Sequence, residues 1–86
     1  MKTTLDELQA FVAVVDSGSI TAAAGRLEQT VSALSRTLGR LEEKLGTSLL
    51  NRTTRRLALT EEGQLLLVRA RKILDAVDEA EEQIAL

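Results

Sequence analysis

The 86-residue sequence predicts a mainly α-helical fold, three helices and a short β-hairpin followed by one long helix. Three observations predict it. The hydrophobic fraction is 44%, yet Phe11 is the one aromatic residue, so the core is built from Leu, Val, Ile and Ala. That composition suits helices better than strands, which draw on aromatic and β-branched side chains. Thr4, Ser19, Thr30 and Thr60 each stand just before an apolar run of helical period, where a hydroxyl can cap a helix. Between residues 49 and 59 the period changes from about 3.6 to two. The length allows a single core and no more.

The first helix opens on Thr4 with Glu7 three residues on, the spacing of a capping box. Leu5, Leu8, Phe11, Val12 and Val15 keep helical spacing until Gly18 supplies a stop. Ser19 caps a shorter second helix, with Ile20, Ala23, Ala24 and Leu27 as its apolar stripe. Glu28, Gln29 and Thr30 break the pattern, and Thr30 caps the third helix. There Leu34, Leu38, Leu41 and Leu45 share one face, while Ser32, Ser35, Arg36, Gly39, Arg40 and Glu43 share the other, up to Gly46. Two helices joined by a short turn, the second with an apolar back and a small-plus-basic front, form a helix-turn-helix pattern.

Leu57 and Leu59 alternate as a short strand would, paired with a segment near Leu50 to Arg52. The resulting hairpin is a wing carrying Arg55 and Arg56 near its tip. Thr60 caps the last helix, with Glu61 and Glu62 at the positive end of its dipole. About 25 residues at 1.5 Å each extend it roughly 37 Å, longer than the domain it leaves. Leu66, Ala70, Ile73, Val77, Ala80 and Ile84 alternate by four and three, a heptad seam for pairing with a second subunit. Leu66, and Leu65 beside it, are also placed to fold back on the domain. The helix runs to the last residue without a C-cap, which reads as a piece of a longer protein. Residues 1–60 are expected to form the winged helix-turn-helix domain and 61–86 the linker and dimerisation helix.

With no Cys and no His, disulfides, thiol chemistry, zinc sites and imidazole catalysis are all excluded. The carboxylates lie scattered over helix faces rather than converging, so neither a catalytic site nor a metal site is expected. No apolar run approaches the ~18 residues of a membrane span, and nothing resembles a signal peptide, so the expectation is a soluble intracellular protein. The net charge of −2 conceals a segregation. Residues 26–56 carry seven basic and three acidic groups, +4, against −2 for residues 1–25 and −4 for residues 57–86. A positive surface within an acidic chain is compatible with nucleic-acid binding. The rival reading, a winged-helix module that binds only proteins, has the acidic total as its sole support.

Five stretches, in order, carry a resemblance: Gly18-Ser19-Ile20-Thr21-Ala22-Ala23-Ala24, Leu34-Ser35-Arg36, Leu41-Glu42-Glu43-Lys44-Leu45-Gly46, Leu49-Leu50-Asn51-Arg52-Thr53 and Leu59-Thr60-Glu61-Glu62-Gly63. Together they resemble the N-terminal domain of LysR-type transcriptional regulators over essentially the whole chain. The resemblance implies a winged helix-turn-helix that binds double-stranded DNA at A/T-rich palindromes, as a homodimer through an antiparallel linker helix. It further implies tetramers in the full-length protein and a C-terminal domain that binds a small-molecule effector. This fragment itself is expected to need no cofactor.

By position, the resemblance implies base contacts from Val31, Ser32, Ser35 and Arg36, and a minor-groove contact from Arg55 with Arg52 beside it. Members commonly carry Gln-Pro where this chain has Val31-Ser32; Val31 can pack on a thymine methyl but cannot hydrogen-bond a base edge. Ser19, Thr21, Thr30 and Arg40 are candidates for the DNA backbone, although Ser19 and Thr21 serve first as residues of a helix start. Arg56 can equally be a polar turn residue, and Arg52 can equally pair with the acidic end of a helix. Gly39 allows close backbone approach to DNA, or is simply tolerated.

Overall fold

Every hydroxyl cap marked in the sequence forms, and each begins a helix. The computed structural model describes residues 1–51 and 57–85; the wing arginines Arg52, Arg55 and Arg56 lie outside the described residues. Helices α1 (Leu5–Ser17), α2 (Ile20–Arg26) and α3 (Val31–Leu45) are followed by strands β1 (Leu50–Asn51) and β2 (Ala58–Leu59) and by helix α4 (Glu61–Ile84). Thr4 Oγ1 accepts from the Glu7 amide at 3.2 Å while Glu7 Oε1 accepts from the Thr4 amide at 2.8 Å, closing the capping box. The Ser19, Thr30 and Thr60 hydroxyls accept from the amides of Ala22, Ala33 and Gly63 at 3.1, 3.0 and 3.0 Å. Caps of this kind contribute about 1 kcal/mol each.

Gly18 and Gly46 end α1 and α3 with φ of 81° and 70°, left-handed conformations that glycine adopts without a Cβ clash. The chain bends by 119° between α1 and α2. Arg26 donates to the Ser17 hydroxyl across that bend at 3.0 Å. The turn between α2 and α3 is closed by the Gln29 amide on the Ala24 carbonyl at 2.9 Å, with Glu28 at φ 56°. That turn sets α3 across α2.

Ala10, Phe11, Val14, Ala23, Ala24, Leu34, Leu38, Leu41, Leu49 and Leu50 form one buried cluster, flanked by partly buried side chains that include Val12, Val15, Leu59, Leu66 and Leu67. Two expected core positions differ. Leu5 is 43% exposed because the buried face of α1 runs through Glu7, Leu8, Ala10, Phe11 and Val14, about 150° around the helix from it. Leu45, in the last turn of α3, is 41% exposed. Val14, outside the expected stripe, is fully buried beside Phe11 and Ala10. Strands β1 and β2 pair antiparallel, Leu50 opposite Leu59 and Asn51 opposite Ala58, which is the expected hairpin.

Helix α4 is not a separate unit. Leu66 and Leu67 pack on the core and Ala70 is fully buried, so its first half belongs to the domain. Its second half projects, giving a molecule of 46 × 26 × 19 Å. Among the described residues no single helix is long and apolar enough to cross a membrane.

Candidate nucleic-acid interface

Helix α3 presents two opposed faces. Leu34, Leu38 and Leu41 are fully or almost fully buried, so the helix cannot rotate without opening the core. At 100° per residue, Ser32, Ser35, Arg36 and Gly39 then fall within an arc of about 100° on the opposite side. Ser32, Arg36, Gly39 and Arg40 are exposed there and Ser35 is half-buried. Val31 is exposed at the first turn. The small side chains leave a low surface from which the two guanidinium groups rise. A Cβ added at Gly39 would meet nothing within 4 Å, so nothing in the chain requires glycine there.

The remaining described candidates precede this face in the chain. Thr30 lies at its N-terminal edge, and Ser19 and Thr21 are exposed at the start of α2. The Ser19 and Thr30 oxygens accept from their own helices, which leaves each hydroxyl hydrogen to donate outward. Donation to a phosphate oxygen is the chemistry such groups can offer.

Lys44 does not add to this positive surface. Its ammonium donates to both oxygens of Glu7, at 3.0 and 2.8 Å, and joins the end of α3 to the start of α1. Glu7 is buried, and the hydrogen bond from Lys44 holds its carboxyl below the usual carboxylate range; burial opposes this and the Thr4 amide assists. A second pair joins α1 to α4. Arg71 donates to Asp16 at 2.7 and 3.2 Å, lowering the Asp16 pKa and raising its own. Both pairs were missed in the sequence, where their members lie 37 and 55 residues apart.

The description "Bacterial regulatory helix-turn-helix protein, lysR family" matches residues 5–64, more than half of the chain. The chain belongs to the LysR family. CrgA, an HTH-type transcriptional regulator of Neisseria meningitidis serogroup C (strain 8013), is 54% identical over 84 residues, 98% of this chain and 28% of CrgA. AaeR, an HTH-type transcriptional activator of Escherichia coli (strain K12), is 41% identical over 80 residues, 93% of this chain and 26% of AaeR. The LysR-family domain described here therefore spans between a quarter and a third of the length of these curated relatives. Among solved structures, the BenM_DBD/catB site 1 DNA complex superposes with a TM-score of 0.90 at 40% identity, covering 93% of this chain and 86% of that one. The LysR winged helix-turn-helix, its long C-terminal helix included, is thus the fold of this chain.

Two residues of the stripe expected to pair with a second subunit are covered by their own chain. Ala70 is fully buried in its own chain and offers no surface to a partner, and Leu66 packs on its own core. The domain reaches further along the helix than heptad spacing can reveal. Ile73, Ala80 and Ile84 are exposed and Val77 is half-buried. Leu65 and Val68, which the seam omitted, are 71% and 55% exposed. Leu65 therefore does not fold back as expected. Period 3.6 already separates 65 and 68 from 66 and 70, but which stripe the domain takes depends on where α1 lies.

Proposed function

We propose that this chain is the sequence-reading module of a bacterial transcription regulator, with α3 in the major groove and the wing in the adjacent minor groove of an A/T-rich palindrome. The observation that carries this reading is the exposed face of α3, small residues with Arg36 and Arg40, whose orientation is set by three buried leucines on its back. Ser32, Ser35 and Arg36 read base edges, Val31 packs on a thymine methyl, and Arg40, Thr30, Ser19 and Thr21 hold phosphates. Arg55, with Arg52 and Arg56, enters the minor groove, whose negative potential deepens over A/T tracts. The DNA complex of the BenM domain supports this docking by likeness.

The module acts as a homodimer through α4, pairing Leu65, Val68, Ile73, Val77, Ala80 and Ile84 with a second copy. The first half of α4 carries three basic groups (Arg69, Arg71, Lys72) against two acidic ones (Glu61, Glu62), and the second half five acidic groups (Asp75, Asp78, Glu79, Glu81, Glu82) and no basic one. An antiparallel pairing sets opposite charges together, and a parallel one sets like charges together. The dimer places two α3 helices on half-sites a whole number of helical turns apart. The full-length regulator acts in the cytoplasm on the nucleoid, as a dimer or tetramer. A domain beyond residue 86 binds its small-molecule effector.

Fluorescence polarisation with a palindromic A/T-flanked duplex tests the reading. Arg36→Ala should lose about 1–3 kcal/mol of binding and relax base preference, and Arg55→Ala should weaken A/T-flanked sites most. Parent-like binding by both variants sinks the docking.

A further inference from the structure

We propose that Glu42 is a positioning residue that locks the base of the wing to the recognition helix, so that α3 and the hairpin meet DNA as one rigid reader. The inference rests on the DNA-binding reading above. Each strand of the hairpin is two residues long. A two-stranded ribbon is marginal in water even when longer, so its own ladder cannot fix where it points. The orientation has to come from outside the hairpin.

Glu42, on α3, supplies it. One carboxylate oxygen accepts from two consecutive amides of the incoming strand, Leu49 at 2.7 Å and Leu50 at 3.3 Å. Hydrogen bonds to an ionised acceptor are roughly twice as strong as neutral ones. The other side of the same segment is held just as closely. The Leu49 carbonyl accepts from the Thr60 amide at 3.0 Å, and the Thr60 hydroxyl donates to the Ser48 carbonyl at 2.7 Å. Gly63, in the first turn of α4, lies so close to the Leu49 carbonyl that a Cβ would overlap it. Leu49 itself is buried in the core. The peptide units at residue 49 thus join recognition helix, wing and dimer helix, and Glu42 is the side chain of α3 in that junction. It fixes the phase between the groove that α3 enters and the groove the wing enters. Glu43, its exposed neighbour, serves as the control.

The test measures parent, Glu42→Ala, Glu42→Gln and Glu43→Ala by fluorescence polarisation on duplexes of one core flanked by A/T or by G/C. Amide hydrogen exchange at Leu49 and Leu50 is followed in parallel. Glu42→Ala should keep the base preference of the core while its preference for A/T flanks falls about tenfold, the scale of one mismatched base pair. The Leu49 and Leu50 amides should exchange faster while those of Leu38 and Leu41 do not. Glu42→Gln retains an acceptor oxygen and should restore most of the flank preference; Glu43→Ala, which removes a carboxylate from the face that carries Arg36 and Arg40, should raise overall affinity and keep the parent's flank preference. If Glu42→Ala fails to fold, Glu42→Asp, one methylene short of the amides, takes its place with the same expectation. Unchanged flank preference, or core and flank lost in equal proportion, overturns the inference while the function stands. A parent that binds no duplex overturns the function and this inference together.

Discussion

Gly39→Ala separates the stability of α3 from its use. Gly39 occupies the interior of a 15-residue helix, is exposed, and has open space where a Cβ would stand. Alanine there raises helix propensity by about 0.8–1.0 kcal/mol, partly by restricting the unfolded chain, with no packing penalty to offset it. For a domain of this size that corresponds to a rise in Tm of about 4–8 °C. The same methyl projects from the line between Ser35 and Arg36, where the proposed docking brings backbone closest to DNA. Holding the helix off the groove stretches the contacts of Ser32, Ser35 and Arg36, and losing one good base contact costs about 1–3 kcal/mol. Thermal denaturation followed by circular dichroism should show a more stable protein, and fluorescence polarisation a weaker binder. A variant that is stabilised and binds as the parent does would refute close approach at this face.

Gly63→Ala should have the opposite sign: its Cβ overlaps the Leu49 carbonyl, and overpacking of this kind costs about 1–3 kcal/mol, read as a fall in Tm. Glu7→Gln removes the charge facing Lys44 and should cost about 1–3 kcal/mol at pH 7 by urea denaturation. Because the folded pKa of Glu7 is depressed, its contribution is complete above the unfolded value of about 4.3 and is lost as pH falls through the lower folded value; parent and variant should therefore converge only below that folded value. Leu65→Lys with Val68→Lys should shift the sedimentation equilibrium toward monomer and leave Tm measured at high dilution near that of the parent, since both side chains are already exposed. An unchanged dimer would place the interface elsewhere on α4.

Much of the recognition face is legible in the chain because it is local. The caps at 4, 19, 30 and 60 hydrogen-bond within three residues, and α3 keeps its two faces by spacing alone. The supports of that face are not legible. Glu7 and Lys44, Asp16 and Arg71, and Glu42 with the Leu49 and Leu50 amides are ordinary surface-type residues until folding brings them together. A capping-box glutamate carries no mark that its far oxygen will meet a lysine 37 residues on.

Periodicity and capping chemistry, properties of neighbours along the chain, were enough to determine the helices, their ends and which side of α3 carries serine and arginine, whereas strands of two residues are too short for pattern alone to determine. Tertiary structure decided how far each helix is covered. It buried Ala70 and Val14, left Leu5, Leu45 and Leu65 exposed, withdrew Lys44 from the positive surface and made Gly63 indispensable while Gly39 stayed unconstrained. The physical reason is that hydrophobic spacing states a direction around a helix axis, whereas burial depends on the length and placement of the elements beside it.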